Sequence, residues 1–376
     1  MGERIPAEVF APGEVIKEEL EARGWSQIEL AEIMDRPPRV VSEIVSGKRA
    51  ITPETAKGLG AAFGTGATFW INLEGGYQLS RTVHDDEGVQ RRARLYAKTP
   101  VKEMAKRGWI RPSENAAVLE TQILKFLEIE SLDEEPRLAH AARMRASESE
   151  ISIAAQWAWF YRVRQIAKSM EATRYSETAL RKALDHLTRL LLAPEETRHV
   201  PRILAECGVR FVVVEKLPHA NIDGVCFWLE DQPVIGMSIR RDKIDNFWFV
   251  LRHEIEHVLR RDGREKEIID DLDGDRGGTG IGLPEEERAA NAAAADFCAP
   301  SGRLNSFMTR KRPFYYEQDV IAFAKTIQRH PGLVVGQMQH RLERYDYLSR
   351  YLVKVRNFVV PASMFDGWGH VAPVSI

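Results

Sequence analysis

The run from Asn246 to Leu259 constrains this chain more than any other stretch. It is apolar and free of Gly and Pro, so it reads as a buried helix. It also carries His253-Glu254-x-x-His257. On a helix the two histidines lie one turn apart on the same face, so both imidazoles can reach one ion. Glu254 sits about 100° round the helix from His253, beside such an ion rather than on it. Two nitrogen ligands, a third ligand from elsewhere and a carboxylate that takes a proton from a bound water are what a zinc hydrolase needs. The plainer reading, a solvated helix with two chance histidines, fits poorly with the apolar flanks and with only ten His in the chain.

A chain of 376 residues has room for two or three domains with sizeable cores. A net charge of −2 excludes a basic nucleic-acid coat, so any DNA binding must come from a local patch. The three cysteines, Cys207, Cys226 and Cys298, are far apart with no CxxC. This predicts a reducing cytoplasm and no structural zinc–cysteine site. The start of the chain has no apolar signal core, and no window approaches eighteen apolar residues. The expectation is a soluble cytoplasmic protein with no membrane partner.

Residues 14–82 read as five short helices. Gly24 closes the first, and Ser26 with Glu29 has the spacing of a capping box for the second. Asp35-Arg36-Pro37-Pro38 is a turn, and proline is tolerated in the first turn of the helix that follows, Arg39 to Val45. Thr52-Pro53-Glu54-Thr55 starts a fourth. Two short helices joined by a tight turn form a helix-turn-helix, whose second helix enters the DNA major groove.

Ser26-Gln27-x-x-Leu30-Ala31, Val41-Ser42-x-Ile44, Gly47-Lys48-Arg49-Ala50-Ile51-Thr52-Pro53-Glu54-Thr55-Ala56 and Gly64-Thr65-x-x-x-Phe69-Trp70-x-Asn72-Leu73 resemble the Cro/C1 (XRE) helix-turn-helix of HigA antitoxins. The resemblance runs to about residue 80. It implies binding to a double-stranded DNA operator as a homodimer. Arg39, Val40, Ser42 and Glu43 are then candidates to face bases, and Arg36, Lys48 and Arg49 to meet phosphates. The chain departs from many relatives in carrying Pro37-Pro38 and Glu43 where polar or basic residues face the groove.

His84-Asp85-Asp86-Glu87-Gly88 is a polar break. From Arg91 to Leu192 the pattern is almost wholly helical, with an aromatic cluster from Trp157 to Tyr161 that reads as helix-packing core. No motif there carries chemistry, and its length suits a helical spacer.

Val209 to Val214 is a β-branched strand, and 223–229 with 233–239 form a hairpin around Glu230-Asp231-Gln232. A small sheet thus precedes the His-Glu-x-x-His helix, and an edge strand beside it can pair with an extended peptide. The stretch 270–282 is acidic and Gly-rich, but Arg276 and Gly282 stand where a calcium loop needs Gly and Glu, so it reads as a loop. Glu285 to Ala299 is an Ala-rich helix, acidic at its start and stopped by Pro300. Glu285, Glu286 and Glu287 are rivals for the third ligand; Glu287 and Asn291 share a face.

His253-Glu254-x-x-His257 followed by Glu287-x-x-Ala290-Asn291, with Pro300 nine positions on and Val334-Val335-Gly336-Gln337-Met338-Gln339-His340 later, is similar to the ImmA/IrrE metallo-endopeptidases over residues 200–345. That resemblance implies Zn2+ held by His253, His257 and Glu287, with Glu254 as general base. Asn291 and His340 become candidates for transition-state or supporting contacts. The chain carries Glu256 where that family commonly has Gly.

The expected fold is mainly α with a small β-sheet: a helix-turn-helix bundle over 1–83, a helical segment over 84–193, an α+β zincin-like domain over 194–350 and an irregular tail over 351–376. The expected function is a DNA-binding regulator with a zinc metallo-endopeptidase domain that cleaves a regulatory protein such as a repressor. The alternative is a HigA-like antitoxin and autorepressor whose second domain senses or binds a partner, such as a toxin, without proteolysis.

Overall fold

The structure, a computed structural model, describes residues 9–81, 86–134, 150–264, 268–270, 284–367 and 371–372. His84 and Asp85 of the polar break, the loop over 271–282, and Trp368, Gly369 and Pro373 lie outside them. The chain divides into two compact units, Met1–Asp86 and Glu87–Ile376. Mainly helical structure with one small sheet is what the chain forms. No helix among the described residues is long and apolar enough to cross a membrane.

The first unit contains α1 (Pro12–Arg23), α2 (Gln27–Ile33), α3 (Pro38–Val45), α4 (Pro53–Phe63) and α5 (Ala67–Arg81). Its punctuation follows backbone chemistry. Gly24 takes a left-handed conformation at the end of α1, with φ 66°, which glycine adopts at little cost. Ser26 forms the capping box: its amide donates to Glu29 at 2.7 Å, and the Glu29 amide donates to Ser26 Oγ at 3.2 Å. Those Ser26 bonds hold the Glu29 carboxyl below its ordinary pKa. Ile16, Leu30, Val41, Ile44, Leu59, Phe63 and Trp70 fill the core. A Cβ at Gly13 would overlap the Val45 carbonyl oxygen, so α1 and α3 meet at backbone distance there.

The second unit is built on a six-stranded sheet: β1 (Arg210–Val214), β2 (Gly224–Leu229), β3 (Gln232–Met237), β4 (Ile268–Asp270), β5 (Met364–Asp366) and β6 (Val371–Ala372). Its spatial order is β4-β2-β3-β1-β5-β6. The β2–β3 hairpin is antiparallel, while β1 runs parallel to both β3 and β5. Strand side chains alternate between two apolar clusters, as a sheet covered on both faces requires. Val212, Val214, Val225, Phe227 and Val234 pack with α6 (Asp86–Lys98), α7 (Val101–Lys106), α8 (Ala116–Leu127) and α9 (Glu150–Ser169). Phe211, Val213, Cys226, Ile235 and Met237 pack with α10 (Glu177–Leu190), α11 (Val200–Glu206), α12 (Ile244–Arg260) and α13 (Glu285–Cys298). A separate helical cluster joins α14 (Ser301–Lys311), α15 (Glu317–Thr326) and α16 (Pro331–Leu342), with Phe307 stacked on Phe323.

Two segments differ from their sequence reading. The helices of 84–193 are no spacer: α6 to α9 cover one face of the sheet and α10 packs on the other. Trp159 of α9 is fully buried and its indole donates to the Val214 carbonyl at 2.9 Å. Helical periodicity reveals an apolar face but not what that face covers. The tail is not irregular throughout either: β5 lies beside β1 inside the sheet. Three residues are too few for a strand to show alternation. Asp366 of β5 is fully buried, paired with Arg162 of α9 and accepting from Trp109 Nε1 at 3.1 Å.

Removing one partner of a buried ion pair strands the other. Asp366→Ala is therefore expected to destabilise the second unit by about 3–5 kcal/mol, read by urea unfolding. Asp346→Ala, at an exposed site, should stay within about 0.5 kcal/mol of wild type. Equal stability of the two variants would contradict the anchoring role.

Candidate functional site

Helix α12 is buried along nearly its whole length, and His253, Glu254 and His257 are each 0% exposed. Helix α13 packs closely along it. Its contact face carries Ala290 and Ala294, both fully buried, and such small side chains bring two backbones together. Glu287, one turn before Ala290 and Asn291, reaches the histidine pair. His253 Nε2 and His257 Nε2 are 3.0 Å apart; Glu287 Oε2 is 3.4 Å from the first and Glu287 Oε1 3.6 Å from the second.

These separations can be compared with a metal site. Ligand atoms about 2.0–2.1 Å from a tetrahedral zinc lie about 3.3–3.4 Å from one another. The three side chains, with ligand atoms all within 4.8 Å of one another, have the spacing and the nitrogen–oxygen chemistry to hold such an ion. Glu285 and Glu286, the rivals for the third position, are not in this group. Asn291 follows Glu287 by one turn and is half-buried. His340 is half-buried near the end of α16, a helix packed on both α12 and α13.

Glu254 is directed by a residue that the sequence did not single out. A Cβ at Gly224, the first residue of β2, would overlap Glu254 Oε1 and come within 2.8 Å of its Cδ and 3.0 Å of Val250 Cγ1. Only glycine leaves room for this carboxylate under the strand. Asp223 and Gly224 read only as the start of a hairpin strand, and no local pattern reveals a contact thirty positions away. Asp223 in turn binds Arg240 through two 2.8 Å hydrogen bonds from Nε and Nη2, fixing the end of the hairpin. Glu256, inside the motif, accepts from Arg252 at 2.7 Å, so its charge is met on its own helix.

In the first unit, Val41, Ile44 and Val45 turn into the core and Val40 packs partly against it. Arg39 and Ser42 are exposed on α3, as are Lys48 and Arg49 in the turn beyond it. Glu43 lies between two of the basic candidates, 2.8 Å from Arg39 Nε and 3.9 Å from Arg49 Nη1. Arg36 pairs with Glu54. Three of the candidate cations, Arg36, Arg39 and Arg49, thus have acids beside them.

Residues 16–70 match the helix-turn-helix family. The HTH-type transcriptional regulator YddM of Escherichia coli K12 is 35% identical over 69 residues, which are 18% of this chain and 73% of that protein. The chain belongs to the helix-turn-helix family. Virulence-associated protein A of Dichelobacter nodosus is 48% identical to this helix-turn-helix chain over 63 residues, 16% of the chain and 62% of the relative. Among solved structures, a HigA-family addiction module antidote protein from Coxiella burnetii shares 37% identity, covering 19% of this chain and 79% of that one, with a TM-score of 0.19. The Pseudomonas aeruginosa antitoxin HigA with the higBA promoter shares 34%, covering 19% and 80%, also with a TM-score of 0.19. The family match lies within the helix-turn-helix unit, so the second unit is read from its own residues.

Gly224→Ala should cost about 1–3 kcal/mol, as overpacking does. In a Glu254→Ala background the carboxylate is gone and the cost should shrink, a coupling of about 1–2 kcal/mol in a double-mutant cycle. An equal cost in both backgrounds would disprove the contact.

Proposed function

We propose that this protein is a DNA-binding transcriptional regulator that also carries a zinc-dependent endopeptidase. The observation that supports the second activity most is the convergence of His253, His257 and Glu287 within 4.8 Å, with Glu254 on the same helix as the histidines. These three residues would hold the ion. Zn2+ in such a set lowers the pKa of a bound water and polarises a peptide carbonyl. Glu254 would be the general base, taking up a proton at its carboxylate and returning it to the leaving amine. Its burial against Gly224 limits the positions its carboxylate can take. The family resemblance of residues 200–345 supports a metallo-endopeptidase of the ImmA/IrrE kind, acting on a regulatory protein such as a repressor.

The first unit would bind operator DNA, with the start of α3 in the major groove. The regulator relative and the helix-turn-helix match support this role; the HigA resemblance implies a homodimer on a palindromic site. Arg39 and Ser42 stand where bases would be read, while Arg36, Lys48 and Arg49 would position the protein on phosphates.

Glu254→Gln should retain stoichiometric zinc and lose about 10²–10⁴-fold in cleavage of a neighbouring repressor or toxin protein, measured by metal analysis beside a cleavage assay. His257→Ala should lose the zinc. A wild-type protein that cuts no partner, with repression unchanged in Glu254→Gln, would instead describe a HigA-like autorepressor whose second unit binds a toxin or other partner. Absence of zinc from the wild type would defeat the metal reading.

For DNA, the Lys48→Ala/Arg49→Ala pair should weaken binding about uniformly across sequences and lower the salt slope by about two. Unchanged salt dependence would remove these residues from the interface.

A further inference from the structure

The end of helix α12 is folded back onto β2. Arg261 has φ 61° and its amide donates to the Val258 carbonyl at 3.1 Å; the Asp262 amide donates to the His257 carbonyl at 2.9 Å. Gly263 follows with φ 75°, and a Cβ there would come within 2.7 Å of the Cys226 carbonyl oxygen. Positive φ and close backbone approach together call for glycine. On the same strand, Trp228 Nε1 donates to the Asp262 carbonyl at 3.0 Å. The backbone of Asp262 is thus docked on β2 from both sides.

That docking aims its side chain at the metal helix. Asp262 Oδ2 is 3.1 Å from His257 Nδ1, while His257 Nε2, across the ring, faces His253 and Glu287. A carboxylate can only accept from an imidazole, so the proton of neutral His257 belongs on Nδ1 and the lone pair on Nε2. Arg260 Nε reaches the same oxygen at 3.3 Å and is part-exposed.

We propose that Asp262 is a positioning residue of the metal site, holding His257 in the tautomer and orientation in which Nε2 binds the ion. This rests on the zinc reading above. Asp262 would not touch the ion or a substrate; it acts through the ring, by fixing its direction and its tautomer. The clamp of Trp228 and Gly263 is what makes the direction fixed. The turn after a metal helix therefore carries a function beyond ending the helix.

The test is the zinc dissociation constant of the full chain, measured by competition with a chromophoric chelator, together with the melting temperature of the metal-free protein. Asp262→Ala should weaken zinc by about 10–100-fold. Trp228→Phe, which removes the indole donor but leaves the carboxylate, should weaken it less. Arg260→Ala, which removes only the outer ion pair, should leave it unchanged. His257→Ala should abolish binding. Wild-type zinc affinity in Asp262→Ala, with binding still lost in His257→Ala, overturns this proposal and leaves the metal site standing. The proposal is likewise overturned if Asp262→Ala only lowers the melting temperature of the metal-free protein. A wild-type chain that binds no zinc overturns the metal reading and this proposal with it.

Discussion

The close packing of α12 on α13 is the contact on which the site in the second unit depends. Ala290 and Ala294 keep the helices close, and that closeness lets Glu287 reach two imidazoles that solvent does not. Buried polar groups are costly unless paired, and carboxylates more so. Glu287 reaches both buried imidazoles, and Glu254 is buried on the helix that carries them. A divalent cation held there would be matched by the nitrogen and oxygen donors of His253, His257 and Glu287. The same constraint explains why the surrounding residues are so specific. Gly224 makes room for one carboxylate, and Arg252 meets the charge of Glu256 before it adds to the others.

The sheet is the platform that makes this packing reproducible. One face receives α12; the other is sealed by α9, with Trp159 beneath β1 and Val163 against Gly236 of β3. Because both faces are covered, the hairpin that carries Gly224 cannot slip by one residue without exchanging the side chains fitted into the two clusters. Asp366, bound by Arg162 and Trp109, ties β5 to the helices on that sealed face. Helices α6 to α9 thus support the site from behind the sheet.

Local features were legible in the sequence. The capping box of Ser26 and Glu29 is a short-range pattern with one physical meaning, and it forms. The β2–β3 hairpin was visible from β-branched runs around a polar turn. His253, Glu254 and His257 were readable because one helix fixes their mutual geometry whatever the rest of the fold does. Glu287 needed more: residue chemistry left three glutamates open, and only the family pattern preferred one. The cover formed by α9, the strand β5, and the contacts of Gly224 and Asp262 were not legible. Each depends on which surfaces meet across long stretches of chain, and amphipathic patterns do not encode partners. In the first unit the Glu43–Arg39 pair is of the local kind, four residues apart on one helix, so its spacing stood in the sequence.

A regulator whose DNA-binding unit and metal-site unit share one polypeptide would bring hydrolysis to proteins found near an operator. That function turns on the ligand set. X-ray absorption at the zinc edge of the metal-loaded chain tests it most directly. Only nitrogen and oxygen scatterers are expected, at about 2.0–2.2 Å, with the multiple-scattering signature of two imidazoles. A sulfur shell at about 2.3 Å, or a spectrum without imidazole scattering, would contradict the His253–His257–Glu287 site.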